Sequence, residues 1–297
     1  MPKPKNKPIL IAVAALALLL YGCISWFAGP DTAPAIASAD ELTIHFIDVG
    51  QGDCTLIAAQ GHFMLIDGGE RGSEDRVVKY LKAQGVTALD YVVASHPHSD
   101  HIGGLAYGVL DAFPVGTVVA PRISKENTPT TQTYEAFLEA VSRQAANGAQ
   151  AKYAKPGEVY PLGGAAFTIL GPLREDGQNY NNDSVALRVT YGDTAALFTG
   201  DAEQPAENAL REKWGAGLRA DLFKAGHHGS NTSCTAALLD LVAPRYVVIS
   251  CGVGNSYGHP AAKLLERLRA RQIEIARTDI EGTLVFASDG LAFRRCD

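Results

Sequence analysis

The stretch Ser95-His96-Pro97-His98-Ser99-Asp100-His101-Ile102-Gly103-Gly104 decides the reading of this chain. Three histidines and an aspartate fall within six positions, directly after Tyr91-Val92-Val93-Ala94, an apolar run that reads as a buried strand. Imidazole and carboxylate suit zinc, manganese or iron(II). Alternate residues at a strand end converge, so His96 and His98 can share one ion. Asp100 and His101, one turn further on, can face a second. Gly103-Gly104 let a following helix pack close against the loop. A polar loop with chance surface histidines is a poor account of this spacing, which is far more specific than a lone histidine pair.

Outward from the motif, strands alternate with helices. Residues 42–48, 54–58 and 63–66 read as strands, the last two joined at Gln60-Gly61. Residues 76–83 and 133–146 read as helices, stopped by Gly85 and by Asn147-Gly148. Residues 117–120 form a further strand. The second half repeats this grammar. Strands at 166–170, 184–190, 195–199, 222–225 and 246–250 are interspersed with helices at 206–213, 235–241 and 261–271, and strands at 273–275, 283–286 and 291–293 follow. Hairpins ending in an aspartate beside glycine, at Asp67 and at Asp201, mark a weak internal repeat. The expected fold is α/β (α+β): an αββα sandwich of two mixed sheets flanked by helices.

Further segments follow in a telling order: Leu65-Ile66-Asp67-Gly68-Gly69, Phe198-Thr199-Gly200-Asp201 and Gly226-His227-His228-Gly229-Ser230. With them the chain resembles the metallo-β-lactamase fold family. Phe46-Ile47-Asp48-Val49-Gly50-Gln51-Gly52-Asp53, Asn181-Asn182-Asp183-Ser184 and Tyr257-Gly258-His259-Pro260 narrow the resemblance to the hydrolase domain of ComEC-type DNA-uptake proteins, over residues 42–295. The resemblance covers the hydrolase module only. It implies the same sandwich, with a metal site in a cleft at one sheet edge.

On this reading His96 and His98 hold one divalent ion, Asp100 and His101 the other, and Asp201 bridges them, the role the resemblance implies. The ions are zinc or manganese. His227 or His228 supplies a ligand from the second half. Adjacent side chains on an extended segment point opposite ways, so the expected ligand is His227, with His228 facing substrate or a carboxylate. His259, in its Gly-His-Pro turn, is a ligand or a proton donor to the leaving group. Asp67 orients a ligand histidine. Asp48 lies at a strand end near the cleft, and the glycines after it make a tight turn or let backbone approach a phosphate. Many relatives carry a further histidine ligand before the bridging aspartate, yet residues 102–200 contain none. Asn181-Asn182 occupies that region, with Asn182 the expected hydrogen-bond partner. One ion is then held less tightly. Two ions activate water and offset charge on a phosphoryl oxygen, so the catalytic set is Asp100, His228 and His259, with no Ser or Cys nucleophile. Ser230 lacks the Gly-x-Ser-x-Gly context.

Composition bounds the substrate. The 297 residues carry a formal charge of −6, and removing a leader with Lys3, Lys5 and Lys7 takes this to −9. A protein that grips duplex DNA normally has a basic face, and no Lys/Arg run occurs outside the leader. A nucleic-acid substrate therefore leans on the charge of bound metal. Residues 1–8 are Lys/Pro-rich and 9–20 wholly apolar, and Leu20-Tyr21-Gly22-Cys23 resembles a lipobox. The alternative is an uncleaved span running to Ala28. Both place the remainder outside the cytoplasm, anchored to the membrane. The expected organisation is 1–23 leader or anchor, 24–41 linker and 42–297 hydrolase domain. None of the five cysteines forms a Cys-x-x-Cys pair, and a disulfide among Cys234, Cys251 and Cys296 stays open. The expected function is an extracytoplasmic metal-dependent phosphodiesterase acting on DNA, single-stranded DNA included, or on another nucleotide polymer; a separate channel protein as partner stays open. The alternatives are a phosphodiesterase of envelope polymers, like the phosphorylcholine esterases, and a non-catalytic DNA-binding accessory. The Asp-His pair and the absent third histidine disfavour a β-lactamase.

Overall fold

The computed structural model describes residues 40–296. Its strands are β1 (Leu42–Phe46), β2 (Thr55–Ala59), β3 (His62–Ile66), β4 (Leu89–Val93), β5 (Val115–Ala120), β6 (Gln150–Tyr153), β7 (Val159–Leu162), β8 (Ala165–Ile169), β9 (Leu187–Tyr191), β10 (Thr194–Phe198), β11 (Leu222–Lys224), β12 (Tyr246–Ile249), β13 (Glu274–Arg277), β14 (Leu284–Ser288) and β15 (Phe293–Cys296). One sheet runs β15-β14-β1-β2-β3-β4-β5-β6 and the other β13-β12-β11-β10-β9-β8-β7. In each, an antiparallel hairpin (β2–β3, β9–β10) leads into three parallel neighbours. The weak sequence repeat is thus a repeat of topology.

Period-two alternation places the layers. Met64 and Ile66 of β3 point between the sheets, as do Ala196 and Phe198 of β10, while Leu65 and Leu197 point outward. Between the sheets Phe46 packs on Phe198 and Phe286, with ring centroids 6.2 and 6.1 Å apart. Outside the first sheet lie α1 (Glu74–Ala83), α2 (Ser99–Gly104) and α3 (Gln132–Ala146), which bury Val77, Leu81, Ile102 and Phe137 against it. Outside the second lie α4 (Gln204–Trp214), α5 (Ala236–Val242) and α6 (Ala262–Arg269), which bury Leu210, Leu238 and Leu264. This is the expected αββα sandwich.

Three strands depart from the sequence reading. β6 is exposed at all four positions, so it carries no apolar alternation to see. β7 contains Pro161, which an edge strand tolerates because it pairs on one side only. The last strand begins at Phe293; Leu291 sits in a turn where Asp289 accepts the amides of Leu291 and Ala292. Cys54, Cys234 and Cys251 are buried free thiols, which closes the disulfide between the last two. Among the described residues no helix is long and apolar enough to cross a membrane. The leader, and the linker up to residue 39, lie outside the described residues.

The Gly103-Gly104 pair does what its chemistry allows. A Cβ on Gly104 would stand 1.9 Å from the Gly68 carbonyl oxygen, and one on Gly103 2.3 Å from the Arg71 nitrogen. The loop after β3 is therefore seated on α2, fixed by Gly68 N–H to His101 O (2.7 Å) and Gly104 N–H to Gly69 O (2.9 Å). That contact brings Asp67 beneath His101.

Candidate metal centre

Ser95 organises the floor of the site. The Asp67 carboxylate accepts its backbone N–H and its hydroxyl, both at 2.7 Å. The same carboxylate stands 2.9 Å from His101 Nδ1, and Ser95 Oγ stands 3.1 Å from His96 Nδ1. Asp67 adopts φ 59°, a left-handed conformation that places its carboxylate between the two partners. A carboxylate only accepts, so His101 carries its proton on Nδ1; the Ser95 hydroxyl proton is already given to Asp67, so His96 does the same. In the neutral rings both Nε2 lone pairs then face the cleft.

These Nε2 atoms meet others. His101 Nε2 lies 3.2 Å from His228 Nε2, 3.3 Å from Asp201 Oδ2 and 3.8 Å from Asp100 Oδ2. His228 Nε2 lies 3.1 Å from Asp100 Oδ2 and 3.4 Å from Asp201 Oδ2. The Nδ1 of His228 faces the Ser250 carbonyl at 3.2 Å, which turns its Nε2 the same way. His96 Nε2 is 2.9 Å from His98 Nδ1 and 3.8 Å from Asp201 Oδ2. Asp201 Oδ1 is buried and has no partner. Lone pairs aimed at one another and at carboxylate oxygens repel unless positive charge lies between them. Imidazole and carboxylate donors in this arrangement fit a divalent cation.

The electrostatics of these side chains point the same way. Burial alone would lower the pKa of His101 and of His228. For His101 the carboxylates of Asp201, Asp100 and Asp67 outweigh burial, and for His228 those of Asp201 and Asp53 do, lifting both well above the ordinary histidine value. Burial, joined by the neighbouring His101, pushes His96 well below it. Burial would raise Asp100 and Asp201, yet their histidine neighbours hold both below the carboxylate range. Without a cation, protons on His101 and His228 would offset these carboxylates. Their sign follows: the raised histidines stabilise the metal-free fold fully below the unfolded histidine pKa of about 6.5, and this contribution is lost as pH rises through their folded values. Metal must displace these protons, so affinity rises with pH. Titration calorimetry with Mn²⁺ in buffers of different ionisation enthalpy should therefore show net proton release near pH 7. Binding with no proton release would sink this account.

The geometry reverses the expected roles of the adjacent histidines. His228 is 2% exposed and joins Asp100, His101 and Asp201. His227 stands at the rim, with Nδ1 3.3 Å from Glu203 and Nε2 3.8 Å from Asp201. The strand rule failed because both residues have left-handed φ (50° and 51°) in a tight turn, so their side chains do not alternate. Asn182 is also turned away: its amide donates to Asp176 (2.7 Å) and accepts the Glu203 N–H (3.2 Å), while Asn181 lines the cleft. Asp48 closes the turn by accepting Gly50 N–H at 3.0 Å and is not among the groups lining the cleft. Gly52 serves close packing rather than substrate, since a Cβ there would stand 2.5 Å from Asp100 O. His259 lines the mouth, its ring stacked beside that of Tyr257 at 5.7 Å.

Three participants escaped the sequence reading. Asp53 groups with His101, Asp201 and His228, its carboxylate oxygen within 4.8 Å of their donors. Asp53 Oδ2 is bound by Lys224 Nζ at 2.7 Å, while its Oδ1 stands 3.1 Å from His228 Nδ1, beneath that ring. Glu203 holds Asn181, Asn179 and Thr232. The visible signals were Asp53 closing the Gly-Gln-Gly-Asp string and a lysine shortly before Gly-His-His. The cleft above is an open cavity of about 400 Å³ lined by Gln51, His98, Asp100, Asn181, His227 and Tyr257 among others, with no lysine or arginine in its lining.

Residues 47–253 match the metallo-beta-lactamase superfamily. The chain is 32% identical over 270 residues to competence protein ComA of Neisseria gonorrhoeae, covering 91% of this chain and 35% of that protein. It is 28% identical over 271 residues to ComE operon protein 3 of Bacillus subtilis, covering 85% and 34%. The chain thus spans about a third of the length of the curated relatives it matches. Among solved structures, the metallo-beta-lactamase fold protein YhfI of Bacillus subtilis superposes with a TM-score of 0.55 at 15% identity, over 84% of this chain and all of that one. CmlA, a diiron beta-hydroxylase from Streptomyces venezuelae, gives 0.55 at 15%, over 80% of this chain and 53% of CmlA. These two show likeness of fold.

Proposed function

The chain belongs to the metallo-β-lactamase superfamily, and from that premise we propose that it is a metal-dependent phosphodiesterase working outside the cytoplasm on DNA or another nucleotide polymer. One observation carries the reading: Asp100, His101, Asp201 and His228 converge at the floor of an open cleft, with one buried Asp201 oxygen unpartnered. His96, His98 and Asp201 would hold one divalent ion, zinc or manganese, and Asp100, His101, Asp201 and His228 a second. Such ions supply an activated water and polarise a phosphoryl oxygen. The chain's own residues do the rest. Asp67 and Ser95 fix the tautomers of His101 and His96. Asp100, whose side chain is 28% exposed, reaches from the floor into the cleft. His259 lines the cleft beside His227 and His228, where a leaving oxygen would need a proton.

Relatedness to competence proteins supports a nucleic-acid substrate. The lysine-bearing leader supports membrane anchorage, by lipid at Cys23 or by an uncleaved span, and a separate channel protein is the natural partner. A second reading keeps the chemistry and changes the substrate to a phosphodiester of an envelope polymer. The absence of lysine and arginine from the cleft lining and the net negative charge favour it. A non-catalytic DNA-binding accessory fits poorly with so complete a donor set.

The test is turnover by metal-reconstituted protein, with Mn²⁺ or Zn²⁺, of bis-p-nitrophenyl phosphate and of single-stranded DNA. Asp100→Ala is the control, and its loss should cost about 10²-fold or more. Turnover of both substrates supports the nuclease reading, and of the small ester alone the envelope reading. No turnover despite tight metal binding would rule out both.

A further inference from the structure

The half of the centre begun by His96 and His98 has two imidazoles and one shared carboxylate, and the sequence offers no third histidine between residues 102 and 200. We propose that Asn181 Oδ1 completes this half as a neutral oxygen ligand to a divalent cation, held in place by Glu203. The proposal rests on the metal-site part of the functional reading and not on the substrate.

Asn181 is 7% exposed, and its Oδ1 is buried without a partner. The residue lines the same cleft as His98, Asp201 and His227. Its Nδ2 donates to Glu203 Oε1 at 3.2 Å. A carboxylate only accepts, so the NH₂ edge must face Glu203 and the oxygen must face away from it. Glu203 is itself fixed. Its Oε2 accepts from Asn179 Nδ2 at 3.0 Å, its N–H donates to Asn182 Oδ1 at 3.2 Å, and its Oε1 lies 3.3 Å from both Thr232 Oγ1 and His227 Nδ1. The Asn181 backbone is pinned as well, its N–H donating to Asn179 Oδ1 at 3.1 Å. Rotating the amide would set its carbonyl against the Glu203 carboxylate and leave Glu203 short of a hydrogen bond. An unsatisfied buried carbonyl held this firmly, on a residue that lines the cleft beside His98 and Asp201, needs a positive partner. An amide oxygen is a hard donor, which suits Mn²⁺ better than the nitrogen and sulfur ligands zinc prefers. Glu203 acts through Asn181 and His227 and is a positioning residue.

The test is Mn²⁺ binding to the metal-free full-length chain, measured by equilibrium dialysis with elemental analysis and by the electron-spin resonance of free Mn²⁺, with no substrate present. The wild type should bind two ions with unequal affinity. Asn181→Ala should weaken the weaker site by about 10- to 100-fold and leave the tighter one unchanged. The paired variant Asn181→Asp with Glu203→Gln keeps the net charge and reverses the hydrogen bond, moving the charge onto the metal-facing residue. It should tighten the weaker site about tenfold. Thermal melting confirms that each variant folds. An alanine variant that binds both ions as the wild type does, or a paired variant whose weaker site does not tighten, overturns the assignment. Because substrate is absent, failure to cleave phosphodiesters would leave this result standing, and the reverse also holds.

Discussion

Asp201→Asn is expected to lower phosphodiester turnover by about 10³-fold or more, about 4 kcal/mol of transition-state stabilisation, and to leave the chain short of metal. The reason is the crowding around one atom. Asp201 Oδ2 lies 3.3 Å from His101 Nε2, 3.4 Å from His228 Nε2 and 3.8 Å from both His96 Nε2 and His227 Nε2. Its other oxygen is buried and open. No other carboxylate of the described residues meets imidazoles from both ends of the His-x-His-x-Asp-His string and from the Gly-His-His turn. Its position is set by the backbone: Asp201 N–H donates to Ser184 Oγ at 3.0 Å, and Gly200 turns at φ 52° where a Cβ would press within 2.8 Å of Ser184. Asparagine keeps this shape, so the fold should survive. It removes the charge, and in either orientation its amide sets N–H₂ against the cation or against imidazole lone pairs. Elemental analysis and steady-state kinetics on the same sample check the prediction. A variant retaining two ions and turnover within tenfold of wild type would show that Asp201 bridges nothing.

The first half of this centre was legible because local chemistry specifies it. An apolar strand followed by a dense run of ligand-type residues and two glycines states both the geometry and the purpose, and Leu65-Ile66-Asp67 repeats the strand-then-carboxylate pattern one strand away. The two sheets were legible for the same reason, through period-two alternation. What stayed hidden depends on backbone conformation or on distance along the chain. His227 and His228 exchanged places because their left-handed turn cancels the alternation that a strand would impose. Asn181 and Asn182 sit in a 3₁₀ turn, Tyr180–Asp183, where the same rule gives no guidance. Glu203 follows Asp201 by two positions, but its role comes from Asn179, Asn181 and Thr232, which the topology delivers. Lys224 and Asp53 are 171 positions apart, and neither has a local pattern that predicts the other.

That pair carries the largest expected effect on stability. Lys224→Met should destabilise the metal-free protein by about 3–5 kcal/mol, lowering its melting temperature by about 10 °C for a domain of this size. Lys224 Nζ lies 2.7 Å from Asp53 Oδ2 and 2.8 Å from the Ala225 carbonyl, and the two side chains are 3% and 6% exposed. Burial alone would raise the Asp53 carboxyl; the Lys224 ammonium, helped by His228, outweighs it and holds the pKa at about 2. Methionine matches the stem of lysine and removes the ammonium, leaving a buried carboxylate 3.1 Å from His228 Nδ1 with no lysine to balance it. Three results should follow. The deficit should narrow on acidification, because protonating Asp53 removes the carboxylate charge that Lys224 balanced. Adding Asp53→Asn to Lys224→Met should recover at least half of the loss, since the amide needs no counter-ion. Saturating metal should also narrow the deficit, because a cation beside Asp201 and His228 balances part of the same charge. Denaturant melts across pH 4–8, with and without Mn²⁺, separate these terms. If Lys224→Met melts with the wild type at every pH, the pair is an incidental contact. If it is destabilised equally at every pH, the loss is of packing, and the ammonium is not what holds Asp53 under the metal centre.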